Sequence, residues 1–109
     1  MMAIAEREVR AAKNQLLFRA VNDRIKELSD RVLPTVAEID FACECADTTC
    51  TEVISVTSEE FKAIEDGGNR FIVKAGHEIP EVEDVVARHR GFLIVAKRGA
   101  GGEYVHGHE

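Results

Sequence analysis

Three cysteines within eight residues are the feature that most limits what this chain can fold into. Cys43, Cys45 and Cys50 have the spacing C-x-C-x4-C and are the only cysteines of the 109 residues. His77 lies downstream, between a glycine and a glutamate in a turn-like segment. Three thiolates and one imidazole make a complete tetrahedral set of zinc ligands. The sequence therefore predicts a zinc site formed by Cys43, Cys45, Cys50 and His77.

The spacing within the cluster allows the thiols to converge. The first two cysteines, two apart on an extended chain, point to the same side, and the third can fold back after a loop of four residues. Glu44 and Glu78 are expected to orient the ligands from outside the site. Two other interpretations of the thiols stay open: small buried hydrophobic side chains and redox-active groups.

The choice of His77 as the fourth ligand depends on its position. It follows a predicted strand and the flexible Gly76, and it precedes a charged residue instead of lying in an apolar run. His89 is the second candidate. His106 and His108 lie in a glycine-rich end that we expect to be a flexible tail, so they are poor candidates for an ordered site.

The overall composition indicates the compartment. No apolar run approaches the roughly 18 residues that a membrane helix needs, and the first residues have no apolar core of a secretory signal. We therefore expect a cytoplasmic protein. In a reducing compartment, close cysteines bind metal or carry out redox chemistry more often than they form disulfides. An odd number of cysteines would also leave one thiol over.

The charge distribution argues against nucleic acid as a partner. The formal net charge is −6, and residues 35–69, which contain the cysteines, have one Lys and nine Asp or Glu. Zinc held by three thiolates and a neutral histidine would add another negative charge there. A phosphate backbone would be repelled from this part of the surface.

The first third of the chain predicts one long helix, about residues 5–30. Apolar residues at spacings of three and four indicate a stripe facing a sheet: Leu17, Val21, Ile25, Leu28 and Val32, widened by Leu16 and Ala20. Asn14 and Gln15 are assigned to the opposite, solvated faces. Residues 1–13 are expected to project beyond the core. The alternative for this helix is a dimerisation element, because it is long for so small a domain.

The remaining pattern predicts an α+β fold, with the long helix packed on a small antiparallel sheet of about four or five strands and a zinc knuckle. Strands are expected near residues 39–43, 52–56 and 70–73 and in a hairpin at 84–97. Thr57 and Glu60 have the capping-box spacing and predict a short helix between the second and third strands. We expect one domain over residues 1–98 and a flexible tail over 99–109.

No motif in the sequence indicates an enzyme. A catalytic zinc site needs an open coordination position and usually a nearby acid or base. Zinc deaminases have an H-x-E and a P-C-x2-C segment, and this chain has neither. There is also no phosphate loop or dinucleotide fingerprint. The expectation is a non-enzymatic protein.

The segment F-A-C-E-C-x4-C-T-E, with the Gly-His-Glu segment at residues 76–78 and the helix residues 22–25, resembles a family of small uncharacterised bacterial proteins found mainly in actinobacteria. The similarity covers most of residues 14–97. Family members often have Gly-Asp-Pro in the cysteine loop, where this chain has Ala46, Asp47 and Thr48. The resemblance implies that Cys43, Cys45, Cys50 and His77 act as a set, and it implies no activity.

The sequence as a whole favours a regulatory or adaptor protein with a structural zinc site. It would act through protein contacts or self-association, with the first helix and the acidic middle as contact surfaces. The first alternative is a thiol-based redox or metal sensor, since oxidation would eject the zinc. The second is a small zinc metalloenzyme.

Overall fold

The computed structural model describes residues 2–34 and 36–107. In this part of the chain three helices and five strands form, which confirms the α+β class. No helix in it combines the length and hydropathy of a membrane span. The helices are α1 (Met2–Asp30), α2 (Ser58–Glu65) and α3 (Gly99–Gly107). The strands are β1 (Glu38–Ala42), β2 (Val53–Thr57), β3 (Arg70–Lys74), β4 (Glu83–His89) and β5 (Phe92–Lys97).

The predicted helix α1 is present, but the face assigned to its contact with the sheet is wrong. The expected stripe is mostly solvent-exposed, with exposed fractions of 61% for Leu17, 51% for Val21 and 79% for Val32. Of the expected residues, Leu16 and Ile25 do pack against the core. The face that turns inward is largely polar, and its buried residues are Ala12, Gln15, Arg19 and Asn22.

The polar face of α1 is buried because it meets irregular main chain and not the face of a regular sheet. Asn22 accepts from the Ala42 amide at 2.8 Å and donates to the Ala42 carbonyl at 2.9 Å. Gln15 donates to the Glu44 carbonyl at 3.0 Å, and Asn14 donates to the Ala46 carbonyl at 2.9 Å. Buried main-chain groups outside a ladder must find such partners. Side-chain amides therefore occupy the positions where apolar residues were expected.

The five strands are antiparallel, as predicted, but they divide into two sheets. One sheet contains β1 and β2, and the other has the order β3-β5-β4. The chain after β1 does reach the edge of β3, where the Glu44 amide donates to the Ile72 carbonyl at 2.7 Å. The Ile72 amide, however, donates to the Glu44 side chain at 3.0 Å. Because a carboxylate takes the place of a main-chain acceptor, the ladder stops there and the sheets stay separate.

The hairpin predicted at residues 84–97 is confirmed as β4 and β5. Its turn contains Gly91 with φ of +88°, a conformation that glycine adopts without steric cost. β5 is the central strand of its sheet, and its buried residues include Leu93, Ile94 and Val95. This agrees with the nearly continuous apolar run that predicted it.

The helix α2 begins with the predicted capping box. The Glu60 amide donates to the Thr57 hydroxyl, and the Thr57 amide donates to the Glu60 carboxylate. Phe61 and Ile64 are buried, as expected. The Phe61 ring stacks on that of Phe41 with 4.4 Å between centroids, which joins α2 to β1 in the core.

A second polar cluster is buried between α1 and the three-stranded sheet. Lys97 Nζ lies 3.2 Å from Glu83 Oε1, and both side chains are fully buried. Gln15 also donates to Glu83, at 3.3 Å. Burial lowers the pKa of Lys97, and the charge of Glu83 only partly offsets this. The two charges stay paired in the fold, because burying either charge alone would cost more free energy than burying the pair.

The prediction of a flexible tail from residue 99 onward is wrong for residues 99–107, which form α3. Residues 99–107 form a helix packed on α1, and Val105 is buried. A Cβ at Gly101 would lie 3.1 Å from the Glu8 carbonyl, so glycine permits this close contact. Glu8 also accepts from the Ala100 amide at 3.1 Å. Around Glu8 and Ala12, α1 is therefore covered by α3 and does not project.

Candidate metal centre

The four predicted ligands come together at the junction of the two sheets. Cys43 and Cys45 follow β1, Cys50 closes the loop before β2, and His77 follows β3. Their ligand atoms all lie within 4.8 Å of one another, and this group could hold a metal ion. Cys43 and Cys45 are buried, while Cys50 and His77 are half-buried. All three cysteines are free thiols.

The distances to the histidine identify the nitrogen that faces the thiols. His77 Nδ1 lies 3.7 Å from the sulfur of Cys43 and 3.6 Å from that of Cys50. Zinc bonds of about 2.3 Å to sulfur and 2.0 Å to nitrogen in a tetrahedron separate those two ligand atoms by roughly 3.5 Å. These two sulfur–nitrogen distances are thus close to those of a zinc tetrahedron with Nδ1 as the nitrogen ligand.

A tight turn in the cysteine loop returns Cys50 to the other two. Asp47 accepts from the amide and the hydroxyl of Thr49, at 2.9 and 2.6 Å. The Cys50 amide donates to the Asp47 carbonyl at 3.0 Å. Such Asp-centred turns need only local hydrogen bonds. The loop therefore closes without the Gly-Asp-Pro segment that is common in the family that this sequence resembles.

A second turn positions His77. Its amide donates to the Lys74 carbonyl at 2.9 Å, and Gly76 between them has φ of +94°. The Glu78 carboxylate accepts from the Gly76 amide at 2.6 Å. Glu78 thus fixes the turn that carries His77, which is one way of orienting a ligand from outside the site.

Burial controls the protonation of the thiols. The pKa of Cys43 is raised to about 12, mainly by burial and also by the neighbouring thiols, while the Lys74 amide opposes the rise by donating to the Cys43 sulfur at 3.2 Å. Burial also raises the pKa of Cys45. Without a cation Cys43 and Cys45 are therefore neutral thiols. A divalent metal would supply the positive charge that thiolates in this place require.

Glu44 has a role that its position between two cysteines does not reveal. Its side chain points away from the thiols and is fully buried. Arg19 holds it with Nε and Nη2 at 2.6 and 2.9 Å, and Asn22 donates to it at 3.0 Å. Burial tends to lower the pKa of Arg19, but the hydrogen bond and charge of Glu44 outweigh it and raise that pKa. Glu44 therefore fastens the cysteine segment to α1.

One signal in the sequence could have indicated this contact. Gln15, Arg19 and Asn22 recur at spacings of four and three, so they share one face of the helix. A polar stripe on a long helix is ordinarily solvated, and of these three residues Gln15 was predicted on a solvated face. Recognising it as a buried stripe would have required knowing that Glu44, between the two cysteines, is itself buried.

Of the other histidines, His89 is not part of the cluster. His89 is exposed at the end of β4, where its ring stacks on that of Phe92 with 4.8 Å between centroids. His108 and the side chain of His106 lie outside the described residues.

Glu65 lines a groove beside α1, and its pKa is raised. Burial raises the pKa of Glu65 to about 7, and a hydrogen bond with Asp23 and the charge of Asp23 contribute. The folded protein thus favours the protonated carboxyl more than the unfolded chain does. The stabilising contribution is complete below about pH 4.5 and is lost as the pH rises through about 7.

We expect the Glu65→Gln variant to lose less stability than the wild type between pH 5 and pH 8, because the amide does not ionise. Urea unfolding of dilute samples at several pH values measures this. Glu59→Gln, an exposed position on the same helix, is the matched control and should follow the wild type. Parallel curves for the wild type and the Glu65 variant would contradict the assignment.

Comparisons of the chain with protein-family models, with curated proteins and with solved structures found no match.

Proposed function

We propose that Cys43, Cys45, Cys50 and His77 bind one zinc ion in a closed, structural site. The observation that carries this proposal is the convergence of four ligand atoms within 4.8 Å, three of them sulfur and one the Nδ1 nitrogen. Thiolates and imidazole in a tetrahedral arrangement favour zinc over magnesium or calcium, which prefer oxygen.

The same arrangement favours a non-enzymatic role. Four protein ligands complete a tetrahedron and leave no position for a water or a substrate. The two nearest acidic residues along the chain have other contacts, Glu44 with Arg19 and Glu78 with the Gly76 amide. Neither is available as the general acid or base that a zinc hydrolase or deaminase uses. We therefore infer that the zinc stabilises the fold.

The biological role that we propose is that of a regulatory or adaptor protein, which acts through protein contacts in the cytoplasm. Free cysteines agree with a reducing compartment. The exposed apolar residues on α1 agree with a contact surface, since such patches mark interaction sites. We also propose membership of the actinobacterial family that the sequence resembles, because the residues that carry the resemblance are those that converge in the fold.

Elemental analysis of protein purified without chelator tests the metal site. We expect one zinc per chain in the wild type and a large loss in Cys50→Ser and His77→Ala. His89→Ala is the matched control, because it removes a histidine outside the cluster and should keep full zinc content. A metal-free wild type, or equal zinc in the His77 and His89 variants, would overturn the proposal.

A redox sensor is the second candidate, and the accessibility of Cys50 favours it. Cys50 is half-buried whereas the other two cysteines are buried, so an oxidant would reach it first. Titration with hydrogen peroxide, followed by a zinc-sensitive dye, separates the two functions. A structural site is expected to keep its zinc at a modest excess of peroxide. Stoichiometric release that a reductant reverses would instead establish the sensor.

A further inference from the structure

The groove beside α1 has opposite charges at its two ends. It encloses about 880 Å³, and its walls come from α1, the end of α2, β3 and α3. Arg10 and Lys13 line the end nearer the start of α1, and Asp23 and Glu65 line the other. At 1.5 Å of rise per residue, Lys13 and Asp23 are about 15 Å apart along the helix. Between these ends the lining is mostly apolar: Leu16, Leu17, Ala20, Phe71 and Val105.

Among the described residues no ion pair joins the charged side chains at the ends of the groove, although Glu65 shares a hydrogen bond with Asp23. In the described part of the chain, the ion pairs include none of Arg10, Lys13, Asp23 and Glu65. The lining residue Arg19 is held by Glu44. In the described part of the chain, Lys13 at one end and Asp23 at the other are therefore left without an ion-pair partner.

The middle of the groove is exposed to an unusual degree for its composition. Leu17 is 61% exposed, and Val21, which lies one turn further along α1 and outside the lining, is 51% exposed. Ala20 is also exposed, and its small side chain would let another helix approach closely. Covering these residues would remove apolar surface from water, which favours association.

We propose that this groove is the interface of a homodimer, in which α1 of a second copy lies antiparallel to the first. A surface that is positive at one end and negative at the other is complementary to itself after a two-fold rotation about its centre. In that arrangement Lys13 of each protomer meets Asp23 of the other. A parallel arrangement would place like charges together, which is costly.

The dimensions of α1 agree with this interface. A helix of 29 residues is about 43 Å long, and the longest dimension of the protomer is 48 Å. The helix therefore runs along nearly the whole molecule and offers a long contact. The proposal specifies the protein-contact part of the proposed function, on which it rests, and it does not depend on the metal.

Reversal of single charges tests the dimer. Light scattering after gel filtration should give twice the protomer mass of 12.1 kDa for the wild type. Lys13→Glu and Asp23→Lys should each be monomeric, because both contacts then join like charges. An equimolar mixture of the two variants should dimerise again, since both contacts become attractive. Glu81→Lys, a reversal at an exposed turn residue outside the groove, is the control and should stay dimeric.

The outcomes separate this proposal from that of the metal site. A wild type that stays monomeric at its highest soluble concentration overturns the dimer, as does a mixture of the variants that fails to associate. Circular dichroism of each variant confirms that it is folded. Zinc content is measured on the same samples, so a monomer with full zinc contradicts only the dimer. A dimer without zinc contradicts only the metal site.

Discussion

On the proposal of a structural zinc site, removal of the metal with a strong chelator is expected to lower the free energy of unfolding by about 5 kcal/mol or more. Structural zinc sites bind with apparent free energies of about 10–16 kcal/mol, and this is folding free energy wherever the unfolded chain holds the metal weakly. A domain of this size has a total stability of about 5–15 kcal/mol. We therefore expect the chelated protein to be unfolded or barely stable at 37 °C.

Thermal unfolding with and without chelator, followed by far-ultraviolet circular dichroism, measures the effect. Added zinc should restore the original curve, and added magnesium should not, because it prefers oxygen ligands. His77→Ala should behave like the chelated protein, and His89→Ala like the untreated one. An unchanged unfolding temperature after complete zinc removal would show that the core holds the fold without the metal.

Glu44→Gln is expected to cost about 3–5 kcal/mol, because it leaves the buried charge of Arg19 without its partner. Arg19 is 8% exposed and Glu44 is not exposed at all, so water cannot replace the lost carboxylate. The guanidinium also lies over the rings of Phe61 and Phe71, at 5.3 and 4.7 Å from their centroids. These ring faces offset only part of the lost ionic contact.

Two variants serve as controls for Glu44. Glu27→Gln breaks an exposed pair with Arg24 and Arg31 and should cost less than about 1 kcal/mol. Arg19→Met combined with Glu44→Gln should be less destabilising than Glu44→Gln alone, since no buried charge is left unpaired. Chemical denaturation gives all three values. A Glu44 variant as stable as the Glu27 variant would show that the buried pair contributes little.

The Glu44 contact also joins the candidate site to α1. Glu44 lies between Cys43 and Cys45 in sequence, and its carboxylate holds Arg19 and Asn22. Order in the cysteine segment and docking of α1 therefore depend on each other. We expect Glu44→Gln to weaken zinc binding although it removes no ligand, in the range of 10 to 100-fold that loss of a supporting contact typically causes.

The elements that local patterns predicted are those whose residues act within a few positions of one another. The capping box of Thr57 and Glu60 and the hairpin of β4 and β5 are of this kind. The four residues of the candidate site were also predicted together, because their side chains are chemically distinctive. Helix α3 was missed because its four glycines are poor helix formers, and it is held by contact with α1.

The sequence by itself determined the α+β class, most of the element boundaries and the four residues that converge, since periodicity, turn chemistry and ligand type are local properties. Only the tertiary structure decided which face of α1 is buried. That choice depends on what the helix meets, and here it meets main-chain groups at and just after the end of β1 and the buried carboxylate of Glu44. Hydrogen-bond satisfaction therefore outweighs hydrophobic periodicity at this contact, and the apolar stripe is left on the surface.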